Sequence, residues 1–229
     1  MTSSWKQQVA PAAKSFAAWI VLMSLIFILA GGFDYNQGWL FGGLNLLILA
    51  ALILFFPDIS DIMRERAKPG PATKPWDRIF WAFFGPMNLM VLVLAVLDGG
   101  RYQWTRSLPL GLTGTAAVVY VLGGALHFSA IRANEFYSST VSIQSQRGHK
   151  VIREGPYRFV RHPGYSGILL MMSSIPLVLG SLWALLPAAA VGVLIVTRTI
   201  LEDKSLRNEL PGYADYTLDV KSRLFPGIW

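Results

Sequence analysis

The sequence predicts an all-α fold, a polytopic membrane helical bundle of about six spans. Three observations predict it. Of the 229 residues, 53% are hydrophobic and only 14% are charged, against roughly a quarter charged in a soluble domain. The charges are confined to short stretches, which leaves apolar runs long enough to cross a bilayer. The basic residues are also distributed asymmetrically. With the N-terminus inside, only Arg101 and Arg106 of the 20 lysines and arginines fall on outward loops, the bias expected of cytoplasmic loops. The net charge of +7 therefore follows membrane topology and does not suggest nucleic acid. Cysteine is absent, which excludes disulfides, thiolate metal sites and cysteine nucleophiles.

Residues 1–14 are polar and are expected to lie along the interface, with no cleavable leader evident. A first span covers Ser15–Gly31 and a short turn holds Asp34. A second span covers Gly38–Phe56, with Gly38 and Gly42 spaced as a close-packing pair. A charged loop over 57–78 carries Arg64, Arg66, Lys68, Lys74 and Arg78 among Pro69, Gly70, Pro71 and Pro75. Spans over Ile79–Leu97 and Leu108–Ser129 follow, separated by a loop with Asp98, Arg101 and Arg106. Residues 164–197 hold no charge. As one straight helix they would reach about 51 Å, well beyond a ~30 Å hydrocarbon core. The run must fold back, and Gly180-Ser181 after Pro176 is the natural turn of a C-terminal helical hairpin. Both termini, the 132–163 loop and the tail then share the cytoplasmic face.

Two stretches carry chemistry. The first is Arg153-Glu-Gly-Pro-Tyr-Arg-Phe-Val-Arg-His-Pro-Gly-Tyr-Ser-Gly167. Pro163 suits the first position of a helix, where its missing N–H costs nothing. The helix N-terminus then faces the cytoplasm as an anion site, with Arg158, Arg161 and His162 around it. Arg161 offers a planar fork for a carboxylate or phosphate, and Tyr157 and Tyr165 offer faces for an organic cation or an adenine ring. Anchoring to anionic headgroups is the simpler account of the arginines. The second stretch holds Glu202-Asp203, read as lying just past a helix C-terminus, an unfavourable place for acids. Either i,i+4 pairing of Arg198 with Glu202 and Asp203 with Arg207 compensates, or the acids bind a diol or a cationic group of a ligand.

Other residues read more plainly. His127 near the inner end of the fourth span is a packing or interfacial residue first and a site residue second, and His149 is a loop residue. Trp39, Trp76, Trp81, Trp104, Trp183 and Trp229 read as an interfacial belt. No G-x-G-x-x-G, P-loop or H-E-x-x-H is present, which argues against a Rossmann domain, nucleotide hydrolysis and zinc proteolysis.

Gly155-Pro156-Tyr157-Arg158, Arg161-His162-Pro163-x-Tyr165-x-Gly167, Glu202-Asp203 and Gly212-x-x-x-Tyr216 with Arg223 and Pro226 resemble the isoprenylcysteine carboxyl methyltransferase and phospholipid methyltransferase family of integral membrane enzymes. Asn134-x-Phe136, Ser139 and Ile143-Gln144 resemble a segment of its bacterial members. The resemblance covers about 132–229 and divides the chain into N-terminal spans, 1–130, and a methyltransferase core, 131–229. It departs at Asp203, where the family has a second, longer acid. The resemblance implies S-adenosyl-L-methionine as cofactor, no metal, and a lipophilic acceptor entering from the bilayer. It implies cofactor contacts at Gly155, Pro156, Tyr157, Arg158, Arg161, His162, Pro163, Tyr165, Glu202 and Asp203. Catalytic roles are expected for Glu202, the local base for an acceptor that needs one, for Arg223 as a clamp, and for Asn134 at the acceptor entrance. A nicotinamide-dependent membrane reductase of sterol-like or enone substrates is the alternative.

Overall fold

The computed structural model describes the backbone of residues 2–55 and 74–229, and side chains from Ala13 onward. The expected basic loop, with Arg64, Arg66, Lys68 and its Pro-Gly-Pro run, lies largely outside the described residues. The described chain is helical, without strands. In order come α1 (Thr2–Ala30), α2 (Asn36–Phe55), α3 (Pro75–Val96), α4 (Leu110–Ala133), α5 (Pro163–Val178), α6 (Leu185–Glu209) and α7 (Tyr213–Asp219). A π-helical turn, Leu97–Tyr102, extends α3, and short 3-10 turns occupy Ser145–Arg147 and Gly155–Arg158.

Five helices are long and apolar enough to cross a membrane: α1, α2, α3 with its extension, α4 and α6. The sixth expected span is α5, whose 16 residues rise about 24 Å and fall short of a ~30 Å core. Pro163 opens it, as expected, and Pro176 is accommodated inside it. Gly180 turns the chain with φ +75°, a conformation glycine adopts without Cβ strain, so the hairpin turn sits where the sequence places it. Two boundaries differ from expectation. The polar N-terminal residues continue α1 back to Thr2. α6 runs on to Glu209 before Leu210-Pro211-Gly212 ends it, so Glu202 and Asp203 lie inside the helix and not past its C-terminus. The dipole penalty expected for them falls away accordingly.

The end of the bundle remote from the site is tied by a buried carboxylate. Asp98 accepts from Thr105 N, Thr105 Oγ1 and Ser181 Oγ, each at 2.6 Å. Tyr35 donates to Leu179 O at 2.5 Å. These contacts join the α1–α2 turn, the π turn and the hairpin turn at one level. All three turns expected on one face are therefore together.

Small residues set the helix spacing. A Cβ on Gly38 would lie 2.7 Å from Tyr35, and one on Gly42 2.5 Å from Met23, so the Gly38/Gly42 pair packs α2 on α1 within the chain. Another close seam, backbone against backbone, lies between α4 and α5. A Cβ on Gly167 would come within 2.6 Å of both Gly123 O and His127 N, and one on Gly123 within 2.8 Å of Gly167 O. Backbone atoms cannot move aside as side chains do, so only glycine permits this approach. Gly167→Ala should lower stability in detergent by about 1–3 kcal/mol, read as a reduced thermal unfolding midpoint. Gly43→Ala, where nothing lies within 4 Å, should leave the midpoint unchanged or raised.

Candidate active site

At the opposite end of the bundle the long connection between α4 and α5 folds over the mouths of the helices. Lys74 N donates to Val141 O at 3.4 Å, and the Asp77 carboxylate accepts from Val141 N at 2.9 Å. Trp81 Nε1 donates to Ser139 O at 3.1 Å. The Gly155-Pro156-Tyr157-Arg158 segment forms its 3-10 turn with Gly155 at φ +55°, which turns Tyr157 inward and leaves Arg158 exposed.

The fixed point of this region is Asp203. The Arg161 guanidinium donates to it as a fork, from Nε to Oδ1 at 2.8 Å and from Nη2 to Oδ2 at 3.1 Å. Both side chains are only 2% exposed. Tyr213 donates its hydroxyl to Oδ1 at 3.0 Å, and Arg223 Nε donates to Oδ2 at 3.0 Å. His162 Nε2 stands 3.3 Å from Oδ1. The remaining Arg161 nitrogen, Nη1, donates to Val220 O and Lys221 O, both at 2.7 Å. One carboxylate thereby joins the α5 corner, α6, α7 and the tail. Burial works against the Arg161 charge, but hydrogen bonds and attraction from Asp203 outweigh it and hold the guanidinium more firmly protonated than usual. Burial raises the phenol pKa of Tyr157 and Tyr213, with the Asp203 charge adding to the second. Burial pushes Tyr216 up to about 12.

This arrangement corrects two expectations. The residues before α5 do not leave their N–H groups free for an anion, because Arg161 N donates to Ser222 O and His162 N to Arg223 O, at 3.0 and 2.9 Å. The tail strand covers that face. The expected i,i+4 pairs are also not the main partners of the acids. Arg198 pairs with Asp77 of α3 at 2.9 Å and donates to Ser139 O at 2.6 Å, while Arg207 reaches Asp203 at 3.6 Å from a half-exposed position. Glu202 instead accepts from Tyr165 Oη at 2.5 Å.

Two cavities meet at Tyr165. The first, the more polar of the two, lies under the connecting loop. Tyr157, Arg161, His162, Tyr165, Glu202 and Asn134 line it, together with Thr140, Ser142, His149, Tyr213 and Tyr216. The second is apolar and lies between helices. Phe80, Trp81 and Phe84 of α3, His127 and Ile131 of α4, Ile168 of α5, and Ile195 and Arg198 of α6 line it. Tyr137, Ser138 and Tyr165 line both. Arg198 sits at 4.3 Å from the Phe80 ring centroid, 5.2 Å from Trp81 and 5.4 Å from Tyr165, a guanidinium enclosed by aromatic faces.

The sequence-derived residues separate into groups. Tyr157, Arg161, His162, Tyr165, Glu202 and Asn134 face the polar cavity. Gly155 and Pro156 shape the turn and Pro163 opens α5. Asp203 and Arg223 form the anchor behind it, with Arg223 also 4.6 Å from the Trp229 ring centroid. Asn134 donates to Tyr157 Oη at 3.2 Å and accepts from Phe136 N, so it supports the polar cavity and does not line the apolar one. His149 is more than a loop residue. It stacks on Phe136 at 4.6 Å, its Nδ1 accepts from Gln144 N, and it lines the polar cavity. Trp81, expected in the interfacial belt, is a wall of the apolar cavity. Of the Ser-Ser-Thr-Val-Ser run of 138–142, the sequence marks only Ser139, through the resemblance, because hydroxyl residues in a loop have no spacing signature.

Asp203→Asn should cost about 3–5 kcal/mol by leaving a buried guanidinium without its counter-charge, seen as a large fall in the thermal midpoint. Arg207→Ala should change stability by less than about 1 kcal/mol.

Residues 115–208 match the model of the isoprenylcysteine carboxyl methyltransferase (ICMT) family. Protein-S-isoprenylcysteine O-methyltransferase B of Arabidopsis thaliana is 32% identical over 78 residues, 34% of this chain. The matched stretch spans 36%, about a third, of that relative's length. The solved structure of a eukaryotic intramembrane Ras methyltransferase ICMT aligns with a TM-score of 0.55 at 16% identity, covering 99% of this chain and 88% of that one. Over 115–208 the chain is thus similar in sequence to the isoprenylcysteine carboxyl methyltransferase family, and over nearly its whole length it shares the fold of a solved ICMT.

Proposed function

We propose that this chain is a membrane-embedded S-adenosyl-L-methionine-dependent methyltransferase, with its site at the cytoplasmic surface and a lipophilic acceptor of isoprenylcysteine-carboxylate or lipid type. The observation that carries the reading is the pair of cavities, one polar and one apolar, sharing the Tyr137, Ser138 and Tyr165 wall. A water-soluble donor and a lipid-soluble acceptor have to meet, and this geometry offers each a compartment of matching polarity. The family match and the Arabidopsis relative support methylation, and the nicotinamide reductase alternative has no such support.

The polar cavity suits the donor. Its lining includes Thr140, whose buried Oγ1 has no hydrogen-bond partner among the described residues, along with Glu202 and five tyrosines beside Asn134 and His149. In this reading Glu202 takes ribose hydroxyls or the amino group, while Tyr157, Tyr165 and His162 contact the adenosine and amino-acid parts. Gly155, Pro156, Arg158 and Pro163 shape the approach. Arg161, Asp203 and Arg223 hold the floor in place. S-adenosylmethionine, when bound, supplies an electrophilic methyl group. The protein's part is to align the acceptor with it and exclude water, work done by positioning.

S-adenosylhomocysteine should raise the thermal midpoint of the detergent-purified protein, and NADPH should not. The reverse result would favour the reductase. Labelled methyl from S-adenosylmethionine should enter a lipophilic product when a total lipid extract is supplied. Glu202→Ala should weaken S-adenosylhomocysteine binding at least tenfold while the midpoint of the ligand-free protein stays near wild type. A collapse of that midpoint with unchanged affinity would make Glu202 structural.

A further inference from the structure

The apolar cavity contains one titratable group that the preceding account leaves idle, His127 of α4. Its Nδ1 lies 3.1 Å from Gly164 O. A carbonyl oxygen only accepts, so Nδ1 carries the proton and Nε2 is left with a bare lone pair. No protein partner to Nε2 is found among the described residues, and the ring lines the apolar cavity. The glycine seam fixes the ring's place, since Gly167 lies directly against the His127 backbone and Cβ.

The other ionisable groups around the cavity each have a partner, although the buried Arg198 Nε has no hydrogen-bond partner among the described residues. From α6, Arg198 is paired with Asp77 of α3. From α5, Tyr165 donates to Glu202. From the connecting loop, the Tyr137 ring stands edge-on to His127 with centroids 6.1 Å apart. The cavity residues of α3 are Phe80, Trp81 and Phe84, none of which titrates. An acidic acceptor arriving here meets a guanidinium whose charge Asp77 already balances, so a bare carboxylate would find only the open Arg198 Nε and the donor's sulfonium, and a shared proton lowers the cost of burying it.

We propose that His127 is the proton acceptor of the reaction: the reacting group of the acceptor, a weak acid such as a carboxylic acid, occupies the apolar cavity sharing one proton with His127 Nε2. This rests on the methyltransferase reading above. The acceptor's O–H bond breaks with its proton passing to Nε2 and its electron pair remaining on oxygen. That oxygen forms the bond to the donor's methyl carbon as the carbon–sulfur bond breaks, with the latter pair staying on sulfur. The charges balance: a neutral acid, a neutral imidazole and a sulfonium become an ester, an imidazolium and a thioether.

The test uses the full-length protein in nanodiscs with N-acetyl-S-farnesylcysteine as acceptor and His127→Gln as variant. Glutamine can still donate to Gly164 O but cannot take up the proton. Calorimetric titration in two buffers of different ionisation enthalpy should show uptake of about one proton per bound acceptor by wild type, and the variant, with no second site to share that proton, should bind the acceptor at least tenfold more weakly. The variant's kcat should fall ~10²–10⁴-fold and lose the acid limb of its pH profile, with S-adenosylhomocysteine stabilisation retained. Equal acceptor affinity in both proteins, or a variant kcat within twofold of wild type with the same acid limb, would overturn the assignment of His127 alone. Loss of S-adenosylhomocysteine stabilisation in the variant would make His127 structural and also overturn it. A wild-type protein that transfers no methyl to this acceptor or to a lipid extract would overturn the methyltransferase reading, and this inference with it.

Discussion

The buried carboxylate of Asp203 is the constraint on which the functional end of this molecule depends. Its two oxygens serve Arg161, Arg223 and Tyr213, with His162 alongside. Burying an aspartate and an arginine is expensive in isolation, and the pair persists because every remaining donor is used. Arg161 spends its last nitrogen on two tail carbonyls, and the tail in turn covers the N–H groups ahead of α5. Segments 42 and 20 residues from Asp203 are thereby held to one point.

A second ion pair does comparable work inside the bundle. Arg198 and Asp77 join α6 to α3, and Asp77 also orders the connecting loop through Val141 N. Between the two pairs lies the Tyr165 wall. Its ring faces the apolar space while its hydroxyl is held by Glu202, so one side chain belongs to both compartments. The glycine contacts at Gly123 and Gly167 allow α4 and α5 to approach closely enough to form the seam between them.

Much of the fold was legible in particular residues. The charge-free run from Gly164 to Thr197 could not be one straight helix, and Gly180 does turn it. Gly38 and Gly42 announced a close helix contact and make one. The Gly-Pro-Tyr-Arg and Arg-His-Pro segments both lie beside the polar cavity, although Arg158 faces outward while Arg161 is buried. The acids were misplaced because apolar periodicity stops at Thr197 whereas the helix does not. Its polar last turns are held by Arg161, Tyr213 and Tyr165, partners remote in sequence that local pattern does not display.

Composition, the placement of charge and a few glycines and prolines were enough to settle a bundle of membrane helices with a C-terminal hairpin, because span length and one-sided basic loops are local properties. They also marked segments whose residues line the polar cavity. Which acid anchors and which acid faces the cavity, that Arg198 belongs to Asp77, and that two cavities share a tyrosine wall were decided only by the tertiary structure. Those outcomes depend on which distant groups come within hydrogen-bonding reach in a space that water does not fill.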